Sequence, residues 1–194
     1  MAGRPREFDI EKVLVKARDA FWKNGYEGIS MSDLVTLLGI ASARIYAAFG
    51  SKEGLFRKAV EFYMEHEGGF VSKALLETNT VKEFVQQILL DAVELYTDNS
   101  KPKGCMVVLS AINCTEANNN IRLWLEELRH KQSILITKRI EQAIINNELP
   151  AVSDSQLLGD YVVNVLNGLA IQGRDGVPKE RLIKMINFCM RLFP

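Results

Sequence analysis

Residues 30–52 constrain the fold of this chain more than any other stretch, and their pattern predicts two short helices joined by a tight turn. Ser30 is a favourable helix cap, and Asp33 follows it at the spacing of a capping box. Leucines then recur at helical spacing until Gly39, where a left-handed residue ends a helix at the least cost. We therefore expect one helix between Ser30 and Gly39 and a second helix over residues 42–49.

The second helix of this pair has an outer face that suits the major groove of DNA. Ile45 and Phe49 are four residues apart, so both are predicted to face the core. Small residues on the opposite side allow close approach to the groove, and an arginine and a tyrosine there supply polar contacts. The predicted outer face consists of Ser42, Ala43, Arg44, Tyr46, Ala47 and Ala48. Taken alone, the stretch has an alternative interpretation as an ordinary helical hairpin.

Residues outside the second helix are further candidates for DNA contact. Two arginines flank Pro5 in a basic N-terminal arm, and an extended arm of this kind can enter the minor groove. A frayed, solvated terminus is the alternative. Lys52 lies in the first turn of the next predicted helix, where free backbone N–H groups also attract phosphate. The predicted contacts of this group are Arg4, Arg6, Ser30, Ser32 and Lys52.

Composition and charge narrow the class of protein. The chain has 194 residues, of which 47% are hydrophobic and 25% charged, as in an ordinary globular protein. We expect a cytoplasmic protein, because no apolar run approaches the ~18 residues of a membrane span and the N-terminus lacks a secretory signal. Net charge is zero, but residues 1–58 hold ten Lys/Arg against seven Asp/Glu. This modest asymmetry favours nucleic-acid contact near the N-terminus.

The sequence does not carry the usual motifs of an enzyme. It has no glycine-rich phosphate loop, no GxSxG and no HExxH, and its two histidines, His66 and His130, stand alone. Cys105 and Cys114 lack a recognised metal-ligand spacing, and the odd count of three cysteines argues against a disulfide framework. We expect no enzymatic activity, no cofactor and no metal site. The second class to consider is a helical ligand-binding or adaptor protein without DNA contact.

An ordered series of motifs over residues 8–60 resembles the DNA-binding head of the tetracycline-repressor (TetR) family. The series is an aromatic turn, a capped helix ending in glycine, a helix ending in Tyr-x-x-Phe, and a Ser-Lys-Glu-x-Leu start to the next helix. In this chain the motifs are Gly25-Tyr26, residues 30–40, Tyr46-Ala47-Ala48-Phe49 and Ser51-Lys52-Glu53-Gly54-Leu55. The recognition helix departs from the family pattern at Ala41, Ala43, Arg44 and Ala48. These departures bear on the operator sequence and not on the fold.

The rest of the chain has helical patterning throughout. It includes a capping box at Thr80, a short apolar helix over residues 104–113 and a long amphipathic helix from residue 115 to about residue 147. We therefore predict an all-α protein of about nine helices. Residues 1–52 would form a three-helix helix-turn-helix DNA-binding head, and residues 53–194 a helical ligand-binding and dimerisation body.

The last two predicted helices, near residues 154–173 and 178–192, are apolar around most of their surface. Helices of that kind are buried on all sides. A four-helix dimer interface explains the pattern economically, with a thicker monomer core as the alternative. We expect a capping box at residues 153–156 and Pro178 in the first turn of the last helix. The TetR resemblance also implies a homodimer through these helices.

The resemblance further implies a small-molecule effector bound inside the body. Candidate contacts, each of which has plain core packing as its alternative, are Phe62, Phe84, Trp124 and Tyr161. An aromatic and apolar lining suits a hydrophobic or aromatic ligand. Gly104-Cys105-Met106 resembles a segment in a subset of the family, some of whose members sense electrophiles through the cysteine; inert packing is the alternative for Cys105.

The function predicted from these observations is a TetR-like transcriptional regulator. It would be a repressor that a small hydrophobic or aromatic ligand releases from a palindromic operator. Its partners would be double-stranded DNA, the effector and a second copy of the chain. Redox or electrophile sensing through Cys105 is the alternative inducing signal.

Overall fold

The computed structural model describes residues 9–193, and the regular structure in that range is entirely helical. Nine α-helices have eight or more residues and a tenth is a single turn, so the predicted all-α fold is confirmed. The helices are α1 Ile10–Asn24, α2 Met31–Leu38, α3 Ser42–Phe49, α4 Lys52–Tyr63, α5 Phe70–Glu77, α6 Val81–Thr97, α7 Met106–Leu109, α8 Asn119–Ile145, α9 Ser155–Arg174 and α10 Lys179–Leu192. A π-helical turn, Met64–Gly68, follows α4, and a 3-10 turn, Glu116–Asn118, precedes α8.

Local capping residues set the ends of the first two helices. The Asp9 carboxylate accepts a hydrogen bond from the backbone N–H of Lys12 at 3.2 Å. Both bonds of the capping box that joins Ser30 and Asp33 are present, at 3.1 and 2.9 Å. Gly39 has φ of 69° and ends α2 in the left-handed conformation. The predicted boundaries of α2 are therefore confirmed.

A compact core holds α3 against α1, α2 and α4. Phe21, Leu34, Ile45 and Phe56 are fully buried. The rings of Phe21 and Phe56 meet edge to face with centroids 5.0 Å apart, a favourable aromatic geometry. Since α4 packs along α1 and then continues into the π-helical turn, it connects this head to the remaining helices.

In the body, α9 packs against α6 and α8, and α10 packs against α6. Asp154 caps α9 by accepting a hydrogen bond from the N–H of Leu157, so the predicted capping box at residues 153–156 is wrong. Pro178 is the N-cap of α10 rather than its first helical residue. Despite these differences in capping, the predicted ranges of α9 and α10 are confirmed.

The predicted apolar helix over residues 104–113 is wrong in extent, because only the single turn α7 is helical. On both sides of that turn, backbone carbonyl groups accept hydrogen bonds from residues near the end of α1. The Gly104 carbonyl accepts from the Trp22 indole, and the Ser110 carbonyl accepts from the N–H of Tyr26. A longer helix would withdraw these groups into its own hydrogen bonds.

Across residues 9–193, no single helix is long and apolar enough to cross a membrane. Only α2 and α3 taken together reach the required length and hydropathy, and they are bent by 100° relative to each other.

Candidate nucleic-acid interface and body cavity

The outer face of α3 is exposed and supported by one buried side chain. Ile45 has no solvent exposure and packs into the head. All the residues predicted for the outer face are exposed, and they are Ser42, Ala43, Arg44, Tyr46, Ala47 and Ala48. The structure therefore brings the predicted set together on one surface, with small residues beside Arg44.

The N-terminus of α3 also favours an anion. The N-cap, Ala41, has no hydrogen-bonding side chain, so the first turn lacks a side-chain cap. Its backbone N–H groups carry the partial positive charge of the helix end, which attracts a DNA phosphate. The helix α3 therefore combines an exposed surface of small residues with an N-terminus that favours an anion.

Some of the other predicted DNA contacts already form hydrogen bonds within the protein. The Ser30 hydroxyl is occupied by the capping box and donates to the Asp33 carboxylate at 2.6 Å. Ser32 is exposed and shares a 2.7 Å hydroxyl–hydroxyl hydrogen bond with Ser30. Arg4 and Arg6 lie outside the described residues.

Lys52 does not point freely into solvent. Its ammonium lies 4.4 Å from the centroid of the Tyr26 ring, a cation–π arrangement. Burial lowers the pKa of the ammonium from its usual value, while the nearby Glu27 carboxylate opposes that shift. Phosphate contact by Lys52 stays a prediction and requires its side chain to leave this ring.

Long-range hydrogen bonds between head and body form the part of the site that sequence reasoning missed. The indole Nε1 of Trp22 donates to the Gly104 carbonyl at 3.0 Å in a buried position. The Tyr26 N–H donates to the Ser110 carbonyl at 2.8 Å. The indole N–H of Trp22 was the only sequence signal for such a bond, because a buried indole needs an acceptor, and no neighbouring residue indicated which acceptor it would be.

Glu27 adds an exposed junction between the same two regions. Its carboxylate accepts from the N–H and hydroxyl of Thr115 at 3.0 and 2.9 Å and from the Asn118 amide at 2.7 Å. The hydrogen bond from Asn118, followed by those from Thr115, lowers the pKa of the Glu27 carboxyl. Together with Trp22 and Tyr26, Glu27 attaches the end of α1 and the following turn to residues 104–118.

A cavity of about 220 Å³ lies in the body beside Cys105. Tyr63 and Tyr96 also line it, and the Tyr63 hydroxyl is 3.7 Å from Cys105 Sγ. Burial raises the pKa of both tyrosines well above the usual value, and the neighbouring Cys105 side chain adds to the shift. The cavity therefore presents two neutral phenols and a thiol among apolar side chains such as Leu128 and Leu135, and Ser72, Lys131 and Gln132 complete its polar lining.

The four aromatic residues predicted as ligand contacts do not line this cavity. Phe62 stacks on His66 with ring centroids 4.0 Å apart, and Phe84 is fully buried in α6. Trp124 packs beneath the Arg57 guanidinium. The hydroxyl of the fourth residue, Tyr161, donates to a carbonyl in α10. The structure does not bring these four side chains together.

Comparisons with known proteins agree with this architecture. The family model described as "Bacterial regulatory proteins, tetR family" matches residues 13–59. The HTH-type transcriptional repressor ComR of Escherichia coli (strain K12) is 28% identical over 99% of this chain and 92% of its own length. The uncharacterized HTH-type transcriptional regulator YezE of Bacillus subtilis (strain 168) is 33% identical over 81% of this chain and 77% of its own length.

A solved structure is similar over the whole chain. It is a cysteine mutant of the TetR family transcriptional regulator CifR, complexed with 26-bp double-strand operator DNA. The TM-score is 0.94 and the identity 36%, with 99% of this chain and 100% of that chain covered.

The fold and the exposed recognition helix define a helix-turn-helix regulator of transcription. The chain belongs to the TetR family of bacterial regulatory proteins, so the resemblance expected from the motifs of residues 8–60 is confirmed. It is a DNA-binding transcriptional regulator, and its relatives are transcriptional regulators rather than named enzymes.

Proposed function

We propose that this protein is a homodimeric repressor whose two α3 helices bind successive major grooves of a palindromic operator, and that a small ligand in the body releases it. The observation that carries the proposal is the exposed, small-residue face of α3 on a chain similar at a TM-score of 0.94 to an operator-complexed relative. DNA contact would come from the head, taken as residues 1–52, and assembly and ligand binding from residues 53–194.

Arg44 is the residue proposed to read the base sequence. Ala43 and Ala47 leave space on either side of it, so its guanidinium can reach the O6 and N7 edge of a guanine. Ser42, Tyr46 and the N-terminus of α3 are proposed to contact phosphates and set the register. Arg4, Arg6, Ser30, Ser32 and Lys52 are proposed as further, sequence-independent contacts.

The dimer is proposed to form through α9 and α10. Ile171 and Phe188 remain 46% and 55% exposed in the single chain, although both lie on helices rich in apolar residues. A second copy that covers these side chains would supply the hydrophobic gain that a C2 interface needs. It would also set the distance between the two recognition helices.

The effector is proposed to bind beside Tyr63, Tyr96 and Cys105. A cavity of about 220 Å³ is below the usual range for drug-sized ligands, so it favours a compact hydrophobic or aromatic molecule. Release would follow if that ligand prefers a conformation in which the recognition helices no longer match successive grooves. Residues 104–110 provide the connection, because Cys105 and Val107 line the cavity while the carbonyls of Gly104 and Ser110 bond to Trp22 and Tyr26.

Electrophile sensing at Cys105 is a second candidate for the inducing signal. It is favoured by the position of the thiol, which lines the cavity although the residue is only 7% exposed. The sulfur would form a bond to an electrophilic carbon and lose its proton to the product or to water. The enlarged side chain would then fill the cavity as a bound ligand does. In either case we propose a cytoplasmic regulator without catalytic activity.

The test of the DNA-binding proposal is a binding titration of Arg44→Ala against an operator library at two salt concentrations. We expect loss of preference at one base pair in each half-site, about 1–3 kcal/mol per contact. Lys58→Ala is the control, because Lys58 is a basic residue on α4 that pairs with Glu61. If Arg44→Ala loses the same affinity for every sequence and keeps its base preference, Arg44 is a phosphate contact, and its assignment as the base-reading residue is wrong.

A further inference from the structure

A groove of about 1130 Å³ separates the head from the body on the side of α1 and α2. One wall is built from α1 and α2, and the other from residues 99–103 and the end of α9. None of the residues that line it lies on α3 or in the cavity at Cys105. The groove is therefore a separate feature from both proposed sites.

The charges that line this groove do not balance. The basic side chains are Lys16, Lys23, Lys101, Lys103 and Arg174, and the acidic side chains are Asp19 and Asp33. Both carboxylates already have local partners: Asp19 accepts from Arg18 at 2.8 Å, and Asp33 belongs to the capping box of α2. The two acidic charges remain, but five basic side chains against two acidic ones leave the lining with a net positive charge.

Four of the five basic groups have no carboxylate partner among the described residues. Arg174 donates to the carbonyl of Lys23 at 3.1 Å, and Lys103 donates to the Asn99 side chain at 2.7 Å. The side chains of Lys16 and Lys23 form no ion pair within residues 9–193. Lys101 is the exception, at 3.7 Å from the Glu67 carboxylate. Several uncompensated cations around one concave surface create a positive potential that attracts anions.

The groove also offers apolar surface. Leu37 is 47% exposed, and Ala20, Ile29 and Pro102 line the groove beside it. An inorganic anion would leave this surface in contact with water, whereas an anion with an apolar body would cover it and gain from its burial. The volume is ample for an organic molecule of that kind.

We propose that this head–body groove binds an amphipathic organic anion, with a carboxylate or phosphate head group and an apolar body, and that the bound anion strengthens operator binding. The effect on DNA rests on the proposed repressor function. Because both domains contribute walls, a ligand fitted to the groove stabilises the head–body arrangement in which the groove exists. That arrangement is similar to the one in an operator-complexed relative, at a TM-score of 0.94. The anion therefore acts in the opposite direction to a releasing ligand.

The first test is calorimetric titration of the full-length protein with decanoate and decyl phosphate, which distinguish the two head groups. Decan-1-ol is the control for the apolar body without a charge, and inorganic phosphate is the control for the charge without an apolar body. We expect at least one of the amphipathic anions to bind saturably, one per chain, and each control to bind at least about tenfold more weakly. Equal binding of decan-1-ol, or no saturable binding of either anion, overturns the proposal.

The double variant Lys16→Gln/Lys23→Gln tests whether the anion binds in the groove, since both lysines line it. Both side chains are exposed and form no ion pair among the described residues, so the fold does not depend on their charge. We expect about five- to tenfold weaker binding of the anion. Lys82→Gln is the matched control, since Lys82 is an exposed lysine on α6 outside the groove. Unchanged affinity in the double variant would place the anion elsewhere and overturn the proposal.

The operator affinity of the same proteins tests the regulatory part. At a saturating concentration of the anion we expect about fivefold or greater tightening for wild type and Lys82→Gln, and little change for the double variant. Weakened or unchanged operator binding in wild type overturns the regulatory claim. A protein that binds the anion but no operator at any salt concentration contradicts the repressor function instead, so the two failures are distinguishable.

Discussion

The indole N–H of Trp22 donates a buried hydrogen bond to the backbone carbonyl of Gly104, 3.0 Å away. Trp22 lies on α1, next to the core that supports α3, while Gly104 immediately precedes the cavity residue Cys105. A ring contact extends the link, because Trp22 meets Tyr63 edge to face with centroids 4.7 Å apart. One side chain thus touches the head, the residue before Cys105 and one wall of the proposed effector cavity.

Substitution Trp22→Phe should both destabilise the protein and weaken communication between cavity and DNA. The Gly104 carbonyl would be left buried without a donor, at a cost of about 1–3 kcal/mol. Urea denaturation measures the loss, and operator titration with and without inducer measures the coupling. Trp124→Phe is the control, because Trp124 is only half-buried and its indole N–H makes no hydrogen bond to the described residues. A Trp22→Phe protein with wild-type stability would show that this bond contributes little.

The Glu27 junction predicts a specific pH dependence of stability. The folded pKa of Glu27 is lowered, so the stability it adds is present above the unfolded value of about 4.3 and disappears as pH falls through the folded pKa. Glu27→Gln should lower the unfolding free energy at pH 7, by less than about 1 kcal/mol because the group is exposed. The difference from wild type should shrink below about pH 4.

Glu141→Gln provides the comparison for Glu27, since Glu141 is an exposed carboxylate on α8 with no hydrogen bond to the described residues. Denaturation curves between pH 3 and pH 7 give the result. A Glu27→Gln difference that is constant over this range would show that ionisation of Glu27 plays no part.

Phe188→Glu should separate the proposed dimer into monomers without unfolding the chain. Phe188 is 55% exposed in the single chain, so a charge there is costly only where a second copy would bury it. Sedimentation equilibrium should show monomers, and operator affinity should fall by more than about tenfold. Leu166→Glu would be a poor substitute, because Leu166 is 5% exposed and belongs to the core of its own subunit.

Leu76→Glu is the surface control for the dimer test, since Leu76 is an 88% exposed leucine on α5, away from α9 and α10. We expect it to sediment like wild type. A Phe188→Glu protein that remains dimeric would contradict the proposed interface.

Cys105→Ser distinguishes the two candidate inducing signals. A serine keeps a hydrogen-bonding group beside Tyr63 and Tyr96 but is a far weaker nucleophile than a thiol. If electrophiles act through Cys105, the variant should bind the operator normally and resist release by a Michael acceptor. A non-reactive aromatic ligand should release both proteins alike. Equal release of wild type and variant by the Michael acceptor would remove electrophile sensing at Cys105.

Much of the head followed from the sequence because its signals act over a few residues. Ser30, Asp33 and Gly39 fix α2 through bonds and dihedral angles within one or two turns. Likewise, Ile45 and Phe49 set the buried side of α3 by helical spacing alone, although Phe49 is only partly buried. The exposed face around Arg44 was therefore predictable as a surface, whereas the base that Arg44 reads stays a prediction.

Only the tertiary structure decided the features that join distant residues. Trp22 and Gly104 are 82 positions apart. Together with the bond from the Tyr26 N–H to the Ser110 carbonyl, their bond flanks the single turn α7, where a longer apolar helix over residues 104–113 was predicted. The same holds for the lining of the body cavity, where Tyr63 and Tyr96 surround Cys105 in place of the four aromatic residues predicted. Helical periodicity indicates which side of a helix is buried, but it does not indicate which other helix packs against that side. The sequence by itself therefore determined the long helices and the exposed face of α3, while packing between helices determined the extent of α7, the cavity, the head–body connection and the basic groove.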